Sequence, residues 1–258
     1  MKIISIFNNK GGIGKTTFAL NLATYLALEK NKKILFLDND SQCNSSMILA
    51  GGKLDDLLES SGVNTIEDLF LTRINIDKFI VESKFKNINF ISSSRKHSKT
   101  DWEYPFNRSK SILRKFSKLD DEYDYAIIDN PPTMFKNVFD ILRESDCIIT
   151  PVEPCIFAVN GLFELISVIA DMNYKKEEQT KFLCFLTKVD NRKNKKVVEL
   201  KEDLKESLGD SFIDNSKLSF LAAYQNATCE YETLISKKDN SIASNELRLL
   251  CDDILRRV

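Results

Sequence analysis

Long hydrophobic runs are missing from this chain of 258 residues. No apolar stretch approaches the roughly 20 residues needed to span a bilayer, which excludes a bundle of membrane helices. Histidine is nearly absent: His97 is the only one, and its polar Ser/Lys surroundings read as a solvated loop. The six cysteines, Cys43, Cys147, Cys155, Cys184, Cys229 and Cys251, form no Cys-x-x-Cys pair, so neither a zinc site nor a disulfide framework is expected. Cys147 and Cys184 fall in strand patterns and read as small core residues. No linker composition marks a boundary, so residues 1–258 are read as one domain. The chain starts directly on a strand pattern with no signal peptide, and with its cysteines it reads as cytoplasmic. The net charge is only −1, so any nucleic-acid contact must come from a local patch.

The composition, 43% hydrophobic and 29% charged, is that of a globular chain with a large core. Its strongest local signal is Asn8-Asn9-Lys10-Gly11-Gly12-Ile13-Gly14-Lys15-Thr16-Thr17. An apolar run, Ile3 to Phe7, leads into it, and a helical pattern from Phe18 to Leu28 leads out. Strand, glycine-rich turn and helix are the context of a phosphate-binding loop. Glycines let backbone N–H groups curl around phosphate oxygens, and the helix N-terminus adds its positive dipole end. Lys15 would reach the β- and γ-phosphates, and the Thr16 hydroxyl would complete the shell of a Mg²⁺ ion. The usual G-x-x-x-x-G-K-[ST] pattern is broken, because Asn9 stands at its first glycine and Lys10 precedes a Gly-Gly pair. This loop resembles the deviant Walker A loop, K-G-G-x-G-K-T-T, of the ParA/MinD family of ATPases.

Two further strand ends carry carboxylates. Ile34–Leu37 reads as a buried strand and runs into Asp38-Asn39-Asp40-Ser41-Gln42-Cys43-Asn44. Ligands bind at such carboxyl ends in open α/β sheets. Capping of the next helix is the plain alternative for either aspartate. The segment resembles the family's D-x-D-P-Q-x-N motif with Ser41 in place of proline. Tyr123-Asp124-Tyr125-Ala126-Ile127-Ile128-Asp129-Asn130-Pro131-Pro132 has the Walker B form and resembles the family's Y-D-Y-x-x-I-D-x-P-P. The resemblance implies that Asp40 orients or activates the attacking water. It also places Asp38 in the outer sphere of the magnesium ion and has Asp129 bind that ion through a water.

Elsewhere the pattern gives two short helices around Ser60-Ser61-Gly62, strand pieces at 79–81 and 88–91, and a helix stripe over 107–119 whose lysines and Arg114 read as a solvated face. Further on come a helix at 135–142, a fourth strand at 147–152, a helix at 163–172 and a strand at 182–187. Arg192, Lys193, Lys195 and Lys196 then cluster after a strand end. They read either as a charged helix start or as part of a phosphate-backbone patch. The terminal helix carries Leu247, Leu250, Cys251, Ile254 and Leu255 at helical spacing, and Asp252 and Asp253 interrupt any basic face, so ordinary packing is expected over a membrane anchor.

The expected fold is α/β: a doubly wound, mainly parallel sheet flanked by helices, of the P-loop NTPase kind. The resemblance is to short ParA forms without an N-terminal helix-turn-helix. It implies a Mg²⁺-dependent ATPase, with Lys10, Gly11, Gly12, Ile13, Gly14, Lys15, Thr16 and Thr17 around ATP. It implies catalytic roles for Lys10, Lys15 and Asp40, and metal roles for Thr16, Asp38 and Asp129. It further implies an ATP-dependent homodimer in which Lys10 crosses to the partner's phosphates, binding to non-specific double-stranded DNA on the nucleoid, and stimulation by a ParB-like centromere-binding protein. The cargo would be a plasmid or chromosome segment. A MinD-like positioning ATPase acting on membrane is the alternative.

Overall fold

Segments that are apolar on successive residues must be covered on both faces, and here they stack side by side as parallel strands. The computed structural model describes residues 1–71, 75–94, 116, 118–174, 176–190, 195–219, 222–238 and 240–258. In chain order the elements are β1 (Lys2–Ile6), α1 (Lys15–Thr24), β2 (Ile34–Asp38), α2 (Asn44–Leu49), α3 (Leu54–Ser61), α4 (Ile66–Leu71), β3 (Ile80–Glu82) and β4 (Ile88–Ile91). They continue as β5 (Tyr125–Asp129), α5 (Lys136–Glu144), β6 (Cys147–Val152), α6 (Ile156–Asn173), β7 (Lys181–Val189), α7 (Lys195–Leu208), β8 (Phe212–Ser219), α8 (Ala222–Cys229) and α9 (Ile242–Arg257).

The strands form one sheet in the order β3-β4-β2-β5-β1-β6-β7-β8. Every pair is parallel except β3 with β4 at one edge. Strand β1 lies between β5 and β6, where the winding reverses, and such a switch point opens a crevice at the carboxyl ends. Alternation along β2 shows the two layers. Ile34 and Phe36 join the cluster with Phe18 and Leu22 of α1 and Leu247 and Leu250 of α9; Leu35 and Leu37 join Ile66, Leu69 and Phe79 on the opposite face. Leu247, Leu250, Cys251 and Ile254 are all buried, so the apolar stripe of α9 is spent on the core. No helix among the described residues is long and apolar enough to cross a membrane.

Most expected elements appear within a few residues of their expected bounds. Three differ. Helix α6 starts at Ile156, seven residues before the expected 163, because Gly161 is accepted inside the helix, where an added Cβ would meet nothing within 4 Å. Strand β8 was not expected, since Asp214-Asn215-Ser216-Lys217 interrupts its apolar pattern. It is an edge strand whose pairing to β7 is broken by irregularities, which is where a sheet tolerates such a run. The last turn of the first helix is π-helical, Tyr25–Glu29. The helix stripe over 107–119 falls almost wholly outside the described residues; Phe116 and Leu119, at its end, are buried.

The ring of Phe18 is fully buried and tilts against Phe185 with centroids 4.7 Å apart, tying α1 to β7. Phe18→Ala should therefore cost about 3–5 kcal/mol, by lost burial and a cavity that a sheet cannot close. Urea unfolding measures this; a loss below about 1 kcal/mol would show that the contact does not hold the helix to the sheet.

Candidate active site

The pairing register sets the site. Ile6 of β1 lies opposite Asp129 of β5, and Asp129 lies opposite Asp38 of β2, so three strand ends stop in one row. The chain leaves β1 into the glycine turn directly above that row. Gly12 has φ 73° and Gly14 has φ 93°, in the left-handed region that glycine enters without a Cβ penalty. Gly14 is the N-cap of α1, and its carbonyl accepts the Phe18 N–H at 2.9 Å. The start of the helix thus points its N–H groups at the turn.

Gly11, Gly12, Gly14, Lys15, Thr16, Thr17 and Asp40 line one cleft of about 450 Å³. Ile13 is buried beneath the turn. The Lys15 ammonium is nearly enclosed and donates to the Lys10 carbonyl at 3.0 Å. Burial lowers its pKa, against the opposing charges of Asp129 and Asp40.

Asp129 is buried; its Oδ2 accepts the Ser45 hydroxyl at 2.5 Å, while its Oδ1 is buried with no hydrogen-bond partner. Burial pushes its carboxyl up to about 6, opposed by the Ser45 and Thr16 hydroxyls and by Lys15. An anionic oxygen left without a donor beside Thr16 fits a hard cation held by one carboxylate, one hydroxyl and phosphate oxygens. Among the described residues no cluster of three or more His, Cys, Asp or Glu could hold a metal by itself, so phosphates would have to complete such a shell.

Asp38 is used differently. Its Oδ2 accepts both the N–H and the hydroxyl of Ser46, at 2.8 and 2.7 Å, and its Oδ1 accepts the Asp40 N–H at 3.1 Å. Those bonds fasten the loop that carries Asp40 to the start of α2. Burial, then the Asp129 charge, pushes the Asp38 carboxyl up to about 8, against those donors. Asp40 itself is half-buried at the cleft wall, its Oδ1 accepting the Gln42 N–H at 3.0 Å.

Lys10 does not line the cleft. Its ammonium pairs with the Glu153 carboxylate, 3.8 Å from Cys155 Sγ. Lys195 and Lys196 open α7 and do not line the cleft; Lys196 lines a separate groove with Pro154 and Cys155, and Lys195 stands 3.5 Å from Glu199 and is almost fully exposed. Arg192 and Lys193 lie outside the described residues.

Two groups of residues, one lining the cleft and one buried, escape sequence reasoning. The far wall is made of Thr187 and Lys188 from the exit of β7, Leu218 and Ser219 from the end of β8, and Ala222, Tyr224 and Gln225 of α8. Glu246 of α9 holds Ser219 in place, accepting its N–H at 2.8 Å and its hydroxyl at 2.6 Å. The Tyr224 hydroxyl is buried and has no hydrogen-bond partner. The second group is a buried amide chain: Asn39 Nδ2 donates to Asn130 Oδ1 at 2.9 Å, and Asn137 Nδ2 donates to Asn39 Oδ1 at 3.4 Å. It joins the Asp40 loop, the loop after Asp129 and α5. Only the polarity of Asn130 after Asp129 hinted at it.

Because both buried carboxyls are raised, the folded protein holds more protons than the unfolded chain from about pH 4 up to about pH 8. Their contribution to stability is fully present below that window and is lost as pH rises through it. Asp38→Asn cannot ionise, so metal- and nucleotide-free Asp38→Asn should lose less stability than wild type between about pH 5 and pH 8. Urea midpoints at the two pH values test it; equal slopes would mean that the pair carries no such strain.

A family model described as an AAA domain matches residues 1–182. An uncharacterized Methanocaldococcus jannaschii protein is 32% identical over 67% of this chain and 66% of its own length. The sporulation initiation inhibitor protein Soj of Bacillus subtilis is 29% identical over 65% of this chain and 64% of its own length. The chain therefore spans just under two thirds of the length of the curated relatives it matches first. A plasmid partition protein from Borrelia burgdorferi shares the fold with a TM-score of 0.77 at 24% identity, over 100% of this chain and 99% of that one.

Proposed function

Since the chain belongs to the AAA-domain family, among the P-loop ATPases of the ParA/MinD type, we propose that it is a Mg²⁺-dependent ATPase whose ATP-held dimer drives the partition of a plasmid or chromosome segment. The observation that carries this reading is the single row of strand ends, which sets Lys15, Thr16 and Asp40 around one cleft and buries the unpartnered Asp129 oxygen near Lys15.

The turn from Gly11 to Thr17 cradles the phosphates with backbone N–H groups, and Lys15 exchanges its bond to the Lys10 carbonyl for phosphate oxygens. Thr16 and Asp129 would hold Mg²⁺, which when bound neutralises charge on the phosphates. Asp38, with both oxygens engaged inside the chain, acts at most from the outer sphere and keeps the Asp40 loop in place. Asp40 orients the attacking water. The far wall takes the nucleoside: Leu218 and Ala222 offer apolar surface to a flat base, and the Tyr224 hydroxyl awaits a partner. Lys10 serves the partner's triphosphate, where a cation stabilises charge growing in the transition state. The half-exposed Phe135, beside Asp40, Gln42 and Pro132, gives that face apolar surface for a second copy.

The burial of the apolar stripe of α9 supports the partition reading over a membrane-acting one; the solved structures favour neither, since a MinD cell division ATPase shares the fold about as well as the partition protein does. Non-specific DNA binding belongs to the same proposal, but α7 is a poor stage for it: its four lysines are matched by Glu199, Glu202, Asp203 and Glu206. Lys195 and Lys196 would act together with Arg192 and Lys193. Filter binding of random duplex should then be strong near 50 mM salt and fall steeply by about 200 mM; salt-independent retention would count against a phosphate patch.

Phosphate release with Mg²⁺ and ATP tests the ATPase. Lys15→Ala should lose nucleotide binding. Asp40→Ala should keep ATP affinity and dimerisation while turnover falls about 100-fold or more. Wild-type release no faster than that of Lys15→Ala would remove the ATPase reading.

A further inference from the structure

Glu153 is the feature of the site mouth that the proposed chemistry leaves unused. It follows the end of β6, and β6 lies between β1 and β7 in the sheet. That order brings the exits of three strands together: the Lys10 turn after β1, Glu153 after β6, and Lys188 at the end of β7. One carboxylate meets both cations. Oε2 pairs with the Lys10 ammonium, and Oε1 is 3.1 Å from the Lys188 ammonium. Glu153 is only one-fifth exposed, whereas Lys10 is 44% exposed. Burial alone would raise its carboxyl, but the hydrogen bonds from Lys10 and Lys188 hold it below the usual range, so it stays anionic between them. Lys188 has φ 54°, a left-handed conformation uncommon outside glycine, and its side chain lines the nucleotide cleft.

From this arrangement we infer that Glu153 is a positioning residue that parks Lys10 within its own subunit until nucleotide and a second copy arrive. The inference rests on the proposed role of Lys10 at the partner's triphosphate. A lysine bonded to its own subunit cannot also reach across an interface, so the pair must open before the dimer closes. A triphosphate in the same cleft competes with Glu153 for the Lys188 ammonium, and the partner's triphosphate competes for Lys10, which links opening to nucleotide and to assembly. The bond is half-exposed, so it is weak enough to open. A pair of this kind shifts an equilibrium by about threefold, and two open in each dimer, so the squared effect is about tenfold.

The experiment is a titration of wild type, Glu153→Gln and Glu153→Asp with Mg²⁺ and AMPPNP, followed by analytical ultracentrifugation, with ADP affinity measured alongside. Glu153→Gln should dimerise at about threefold lower AMPPNP than wild type, since two nucleotides enter each dimer and the roughly tenfold gain in the dimerisation constant is shared between them. Glu153→Asp keeps the charge on a shorter stem and should move partway in the same direction. ADP affinity should change less than about twofold, because ADP needs no partner and any shift is then a property of assembly. A dimerising wild type with both variants unmoved, or with Glu153→Gln dimerising less readily, overturns the parking role and leaves the ATPase reading intact. Should Glu153→Gln fail to fold, the direction of the Glu153→Asp shift decides. Wild type and variants all monomeric at saturating AMPPNP would sink the dimer reading and this inference with it.

Discussion

The arrangement depends on strand register. Parallel pairing aligns Ile6, Asp129 and Asp38 across β1, β5 and β2, and a slip of one residue would turn each side chain to the opposite face. Register is held in turn by burial on both faces: Ile34 and Phe36 lie in one layer, Leu35 and Leu37 in the other. The precision of the site is therefore inherited from the core. Apolar packing several residues below the cleft determines where two carboxylates and a glycine turn meet.

That precision has an electrostatic cost. Asp38 and Asp129 are both buried, and their proximity adds repulsion to desolvation. Ser45, Ser46 and the Asp40 N–H offset part of it with hydrogen bonds, and Lys15 supplies a nearby positive charge. One oxygen, Asp129 Oδ1, is left without a donor. A site carrying surplus buried negative charge and one unfilled acceptor is prepared to gain from a cation, and the glycine turn beside it is prepared to gain from an anion. Both complements are properties of a metal–nucleotide pair.

The mouth of the cleft follows another rule. There the charges are partly solvated, so bonds among Lys10, Glu153 and Lys188 are weak and exchangeable. Buried contacts under the row of strand ends position groups permanently, whereas half-exposed contacts at the rim hold them provisionally. The amide chain Asn39–Asn130–Asn137 belongs to the first kind and binds two loops and α5 behind the rim.

What the chain alone determined is local. Lys10 to Thr17 declare a phosphate turn because glycines and lysines so closely spaced have no packing use, and the apolar runs ending in Asp38 and Asp129 declare buried strands with carboxylates at their ends. The bounds of those strands, the two short helices beside Gly62 and the packed stripe of α9 followed from the same periodicities. The extent of α6 did not, because a lone glycine resembles a helix breaker, nor did β8, because a polar run at a sheet edge has no strand pattern. Only the tertiary structure decided that Leu218, Ser219 and Tyr224 face the glycine turn, that three asparagines from three segments share one buried network, and that Glu153 sits between Lys10 and Lys188. Each of these joins residues roughly 35 to 210 positions apart through strand order, and the order in which strands pair is a property of the whole folded sheet that no local periodicity encodes.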